Sequence, residues 1–178
     1  LVLDLSDGNP EGGAAAGDTF VNVERFWGSL FASDTMIGDD NVNIFYGFNE
    51  DDFLDGRGGN DLLYGGSGND TILGGDGEDL IFGESGNDII DGGRGKDILW
   101  GGDGADKFVF SHTVIGDDQI RDFQKGVDKI RFDLDGVSQA IDINLQILNY
   151  GDGVSTAQFI RFDAGDGLQT IRVYNSTA

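Results

Sequence analysis

The chain has 178 residues, 33 acidic against 11 basic, for a formal net charge of −22. That balance excludes nucleic-acid backbones and anionic membrane surfaces as partners, since both require clustered Lys and Arg, and it points instead to cations. Without cysteine there are no disulfides and no thiolate metal sites, and no apolar run approaches the length of a membrane span. The 31 glycines and single proline depart from globular usage, where glycine is about 7%. The 11% aromatic and 38% hydrophobic content nevertheless opposes the disorder that high charge alone would suggest.

Residues 1–37, which contain GDTFVNVERFWGS, read as a lead-in. The opening LVLDLSDG carries no initiator Met, basic stretch or cleavable apolar segment, so a fragment of a longer protein is expected. From Gly38 the chain repeats every nine residues through residue 109: GDDNVNIFY, GFNEDDFLD, GRGGNDLLY, GGSGNDTIL, GGDGEDLIF, GESGNDIID, GGRGKDILW, GGDGADKFV. Position 1 is always glycine. Position 6 is Asn43 in the first unit and then Asp52, Asp61, Asp70, Asp79, Asp88, Asp97 and Asp106. Position 8 is always large and apolar: Phe45, Leu54, Leu63, Ile72, Ile81, Ile90, Leu99 and Phe108. The earlier stretch GSLFASDTMIG keeps the Asp34, Met36, Gly38 phase with one residue inserted.

A glycine-rich turn followed by three extended residues cannot bury its apolar side chain alone, so the units must stack. If two nonapeptides make one coil, alternate strands form two parallel sheets, with successive strands about 4.8 Å apart. Position 8 then faces inward and positions 7 and 9 face outward. The glycines supply turn conformations closed to other residues and let carbonyls converge. Asp52, Asp70, Asp88 and Asp106 stack along one edge, and Asp61, Asp79 and Asp97 along the other. Carboxylates about 5 Å apart repel by roughly 3 kcal/mol at an effective dielectric of about 20, so the ladders need a cation between rungs. Carboxylates with backbone carbonyls form a hard, all-oxygen site suited to Ca²⁺. Zinc would call for His or Cys, and the chain has one His and no Cys.

These residues resemble the RTX family, the haemolysin-type calcium-binding nonapeptide repeats GGxGxDxUx, closely over 56–109 and more loosely over 28–55. The resemblance implies an all-β fold, a right-handed parallel β-roll (β-solenoid) with a C-terminal antiparallel β cap. Each ion would lie between repeats n and n+2, held by position 6 carboxylates and by carbonyls of positions 1 to 4. Carried over, the cages pair Asp52 with Asp70, Asp61 with Asp79, Asp70 with Asp88, Asp79 with Asp97, and Asp88 with Asp106. Asp34 with Asp52 adds one more, for about five or six ions. The backbone ligands would come from Gly56, Gly58 and Gly59; Gly65, Gly66, Ser67 and Gly68; Gly74, Gly75, Asp76 and Gly77; Gly83, Ser85 and Gly86; Gly92, Gly93, Arg94 and Gly95; and Gly101, Gly102, Asp103 and Gly104. Asn43 at position 6 and Glu50 at position 4 depart from the pattern. Arg57 and Glu84 replace a position 2 glycine, which suits a site that uses only the carbonyl.

Residues 105–132 resemble the segment that follows RTX rolls, with its D-x-I-x-D-F-x-x-G-x-D-x-I pattern. Phe108 and Phe110, Ile120 and Phe123, and Ile130 and Phe132 are expected in strands that close the roll's open edge. Runs 141–148, 156–162 and 168–174 are three more strand candidates between glycine turns. No linker is evident, so 1–178 is read as one module: lead-in 1–37, nonapeptide roll 38–109, C-terminal β cap 110–178. The acidic loops at Asp152 and Asp163–Asp166 read as solvated turns. RVYNSTA, the last stretch, has no apolar terminal signal, and the natural C-terminus is expected beyond it.

The two sheets should present different outer faces. One carries Ile44, Leu62, Leu80 and Ile98 with Tyr46, Tyr64, Phe82 and Trp100; the other is mixed, with Asp55, Asp91 and Lys107. The first is too apolar to stay wet. Either the lead-in or the C-terminal strands cover it, or the aromatic row is a docking surface for a partner domain or a glycan. His112, the single histidine, has no recognisable triad around it, and there is no HExxH, so no enzyme activity is expected of this segment itself. The resemblance implies a module of a secreted, extracellular bacterial protein. It would leave the cell unfolded through type I secretion machinery and fold outside on calcium beside other domains of its parent chain. Serralysin-type proteases, alginate epimerases, lipases and adhesins carry similar rolls, which leaves a polysaccharide- or partner-binding module as the alternative.

Overall fold

The computed structural model describes residues 2–4, 24–111, 116–132, 157–163 and 168–175; His112, Asp152 and the run 141–148 lie outside them. Every described element is a strand: β1 (Val2–Asp4), β2 (Arg25–Trp27), β3 (Thr35–Ile37), β4 (Ile44–Asn49), β5 (Phe53–Asp55), β6 (Leu62–Ser67), β7 (Thr71–Gly77), β8 (Leu80–Ser85), β9 (Ile89–Gly95), β10 (Ile98–Asp103), β11 (Lys107–Phe110), β12 (Asp117–Phe123), β13 (Lys129–Phe132), β14 (Ala157–Asp163) and β15 (Leu168–Asn175). Odd strands β1 to β13 form a seven-stranded sheet. The even strands β2 to β12 form the other, which β15 and β14 extend to eight. The alternation follows from the period: each nonapeptide crosses to the opposite sheet, so a strand meets its own kind two repeats later. The register is 18 residues throughout the roll, with Leu54 opposite Ile72, Ile72 opposite Ile90, Leu63 opposite Ile81 and Ile81 opposite Leu99.

Position 8 fills the space between the sheets. Met36, Leu54, Ile72, Ile90 and Phe108 from one side meet Phe45, Leu63, Ile81 and Leu99 from the other, all fully buried. Burying each such side chain is worth about 1.5–3 kcal/mol. Phe110, Ile120, Ile171 and Val173 carry this core past the last nonapeptide. The turns stack as well as the strands: Gly66 pairs with Glu84 and Gly75 with Gly93. A Cβ on Gly77 would collide with the Gly59 carbonyl, so glycine is required at this position 4, where two turns touch backbone to backbone.

The C-terminal segment departs from the expected antiparallel cap. β12 adds to β10, β13 to β11 and β15 to β12, all in parallel; β14 is antiparallel to β15. The reason lies in local sequence. Asp118-Gln119-Ile120 and Asp128-Lys129-Ile130 repeat the Asp-x-apolar spacing of the nonapeptide, and Ile120 and Ile130 take the registers of Leu99 and Phe108. They therefore add as further rungs.

Candidate metal centre

Each turn sets its position 6 residue into a buried ladder. The backbone N–H of one rung donates to Oδ1 of the carboxylate one coil later. Asp34 donates to Asp52 (2.7 Å), Asp52 to Asp70 (2.8 Å), Asp70 to Asp88 (2.8 Å) and Asp88 to Asp106 (3.0 Å). On the opposite edge Asn43 donates to Asp61 (2.7 Å), Asp61 to Asp79 (2.8 Å) and Asp79 to Asp97 (2.9 Å). The two predicted columns are thus the observed ones. Both run further than the nonapeptides: Asp97 N–H donates to Asp118 Oδ1 (2.9 Å) and Asp106 N–H to Asp128 Oδ1 (3.1 Å). Sequence reasoning missed these two rungs because they stand 21 and 22 residues on rather than 18. The signal that finds them is the Asp-x-Ile triplet.

The other carboxylate oxygen defines the site. Oδ2 of Asp52, Asp61, Asp70, Asp79, Asp88, Asp97, Asp106 and Asp118 is buried and accepts no hydrogen bond. An ionised oxygen in that state is costly unless a cation meets it. Burial accordingly raises these carboxyls: Asp52, Asp70, Asp79 and Asp106 to about 6, Asp61 and Asp88 to about 7, Asp97 to about 8 and Asp118 to about 9. Neighbouring carboxylates add to the rise, as Asp70 and Asp34 do for Asp52, while the N–H on Oδ1 opposes it.

Position 1 explains what else meets that oxygen. A Cβ on Gly65 would collide with Asp70 Oδ2 and lie 2.9 Å from the Gly83 carbonyl oxygen. The same cradle recurs at Gly56 with Asp61 and Gly74, and at Gly83 with Asp88 and Gly101. Carboxylate and carbonyl oxygens from adjacent coils thus converge on one point that only glycine leaves open. Among the described residues no three acidic or histidine side chains gather into a site, so side chains alone do not build a cage and the carbonyls must complete it. This donor set, hard and entirely oxygen, fits Ca²⁺. The turns hold their shape even where glycine is absent: Phe48, Arg57 and Glu84 at position 2 and Glu50 at position 4 keep φ of 83°, 68°, 76° and 73°.

A groove of about 720 Å³ on the outside of the seven-stranded sheet, over Asp55, Leu73 and Asp91, contains none of the orphaned oxygens. On the opposite sheet the aromatic row is real and longer than expected. Trp27 stacks on Tyr46 (6.3 Å between centroids), Tyr46 on Tyr64 (4.9 Å), Tyr64 on Phe82 (4.8 Å) and Phe82 on Trp100 (4.5 Å). Beyond it Arg121 lies over the Tyr174 ring at 5.0 Å. Strand β2 joins this sheet at one edge, and β12, β15 and β14 extend it in turn at the other, so none of them lies across its face.

The RTX calcium-binding nonapeptide repeat, as a family model of four copies, matches residues 32–63, 46–81 and 73–108. Among solved structures, a subunit of the mannuronan C5-epimerase of Azotobacter vinelandii is 29% identical, with 71% of each chain covered and a TM-score of 0.44. An extracellular lipase of Serratia marcescens is 17% identical, with 83% of this chain and 38% of the lipase covered and a TM-score of 0.35. No curated protein matches. Matched in sequence and stacked into aspartate ladders, the nonapeptides of residues 32–108 are RTX calcium-binding nonapeptide repeats.

Proposed function

We propose that this chain is a folding switch thrown by calcium, a non-catalytic module of an exported bacterial protein. The observation that carries the reading is the set of buried carboxylate oxygens with no donor. Five ions would sit between rungs, at the pairs Asp52/Asp70, Asp61/Asp79, Asp70/Asp88, Asp79/Asp97 and Asp88/Asp106; the expected sixth at Asp34/Asp52 is not retained, because Asp34 Oδ2 accepts the Ser29 N–H. With free ion at ten times Kd each site adds about 1.4 kcal/mol to folding. Five together add roughly 7 kcal/mol, on the scale of a whole domain's 5–15 kcal/mol. Where calcium is scarce the ladders repel and the coil is favoured; where it is plentiful the roll forms.

That switch suits a protein exported unfolded by type I machinery and folded outside, where it would serve the other domains of its parent chain. The setting rests on the family resemblance. A glycan platform is less favoured by the aromatic row, since Tyr46, Tyr64 and Phe82 spend their ring faces on one another and offer edges, whereas sugars stack on faces. Small-angle scattering tests the switch. The radius of gyration should fall from about 45 Å in EDTA towards about 16 Å in calcium, the values for an unfolded and a compact chain of this length. A chain equally compact in both would overturn the proposal.

A further inference from the structure

We infer that Asp118, which lies outside the nonapeptides, closes one more calcium site with Asp97, and that its sequence look-alike Asp128 closes none. The inference rests on the calcium reading above. After residue 109 the chain contains the pattern G-x-D-x-I twice, as Gly116-Asp117-Asp118-Gln119-Ile120 and as Gly126-Val127-Asp128-Lys129-Ile130. Both match positions 4 to 8 of a nonapeptide, so the sequence does not separate them. Their surroundings do.

Residues 116–120 form a true rung. Gly116 has φ of 74°, and a Cβ there would strike the Gly95 carbonyl, as a Cβ on Gly95 would strike that of Gly77. The turn is therefore stacked as a position 4 glycine stacks. Asp118 receives the Asp97 N–H on Oδ1 and is only 1% exposed, and its Oδ2 has no donor. Asp97 Oδ2 is orphaned in the same way. In its N–H donation and its two orphaned oxygens the pair repeats what Asp79 and Asp97 show one coil earlier.

The turn that leads into Asp128 does not stack, although Lys129 and Ile130 pair with β11. A Cβ on Gly126 would meet nothing within 4 Å. The turn folds on itself instead, with Val127 and Asp128 N–H donating to the Gln124 carbonyl (3.0 and 2.9 Å). Gln124 N–H then donates to Asp128 Oδ2 (2.7 Å), so each oxygen of Asp128 already accepts a hydrogen bond and neither is orphaned as Asp118 Oδ2 is. Asp122 seals the same end by accepting the N–H groups of Gly101 (3.0 Å) and Gly102 (2.9 Å).

Native mass spectrometry of the calcium-loaded chain counts the ions. Asp118→Asn should lose one ion from the wild-type count, and Asp128→Asn none. A wild-type count in Asp118→Asn, or equal losses in both variants, would overturn the inference. No ions on the wild-type chain would instead overturn the calcium reading beneath it. Anomalous scattering from wild-type crystals soaked in terbium needs no variant: a peak beside Asp118 Oδ2 is expected. Peaks along the nonapeptides with none beside Asp118 would contradict it.

Discussion

Asp34 and Asp70 stand in the same ladder, equally buried, each giving its N–H to the next carboxylate. They part at Oδ2: in Asp34 it accepts the Ser29 N–H, and in Asp70 it accepts nothing. The same division separates the ends from the middle elsewhere. Asn43 Oδ1 takes the Asp39 N–H (3.0 Å) and Asp128 Oδ2 the Gln124 N–H (2.7 Å). In each case the donor is the second residue of the same turn. Across the middle, that second residue is held at positive φ, at Phe48, Arg57, Gly66, Gly75, Glu84, Gly93 and Gly102, and is built into the stack of turns, as Gly66 pairs with Glu84. Its N–H is turned away from the carboxylate. The left-handed turn is thus what leaves the interior oxygens to an ion, and the ends at Asp34, Asn43 and Asp128 cap themselves with their own backbone, while Asp118 stays open.

The largest expected difference between capped and orphaned carboxyls is in their response to pH. In EDTA the interior carboxyls, raised in the fold from 3.8 to values between about 6 and about 9, bind protons more tightly folded than unfolded. Stability from these groups is therefore complete below their unfolded value and is lost as pH rises through the folded ones. Melts in EDTA should show more structure at about pH 5 than at about pH 8, and in saturating calcium the order should reverse, because protons displace the ion. Next comes Asp79→Asn, which removes a rung shared by two cages. At tenfold excess over Kd it should cost about 3 kcal/mol in calcium, against well under 1 kcal/mol for Asp34→Asn, whose Oδ2 is already satisfied. Urea unfolding in calcium measures both, and equal losses would mean that the Ser29 cap does not set Asp34 apart from the interior rungs. Gly65→Ala places a methyl against Asp70 Oδ2 and the Gly83 carbonyl and should cost about 1–3 kcal/mol, with a raised calcium midpoint as the readout. Glu84→Gly, last, should stabilise by about 1 kcal/mol by relieving a left-handed non-glycine residue, with the ion count unchanged.

Much of this was legible in the sequence. A fixed period with Asp at position 6 and an apolar residue at position 8 determines which side chains share a column, so Ile72, Ile90 and the two aspartate edges followed directly. Three things were not legible. Asp118 and Asp128 stand off the 18-residue spacing. The parallel course of β12 and β13 depended on how Ile120 and Ile130 seat in a core already formed. Whether a carboxylate is orphaned depends on where the N–H of the turn's second residue points, and Ser29, Asp39 and Gln124 have no residue type in common that would reveal it.

Far-UV circular dichroism of the chain, titrated with calcium from EDTA and with magnesium as control, reports whether the aspartate ladders fold on the ion. A cooperative coil-to-β transition with calcium and none with magnesium is the predicted result. A chain already fully β in EDTA at neutral pH, unmoved by calcium, would mean that the buried oxygens are not ion ligands.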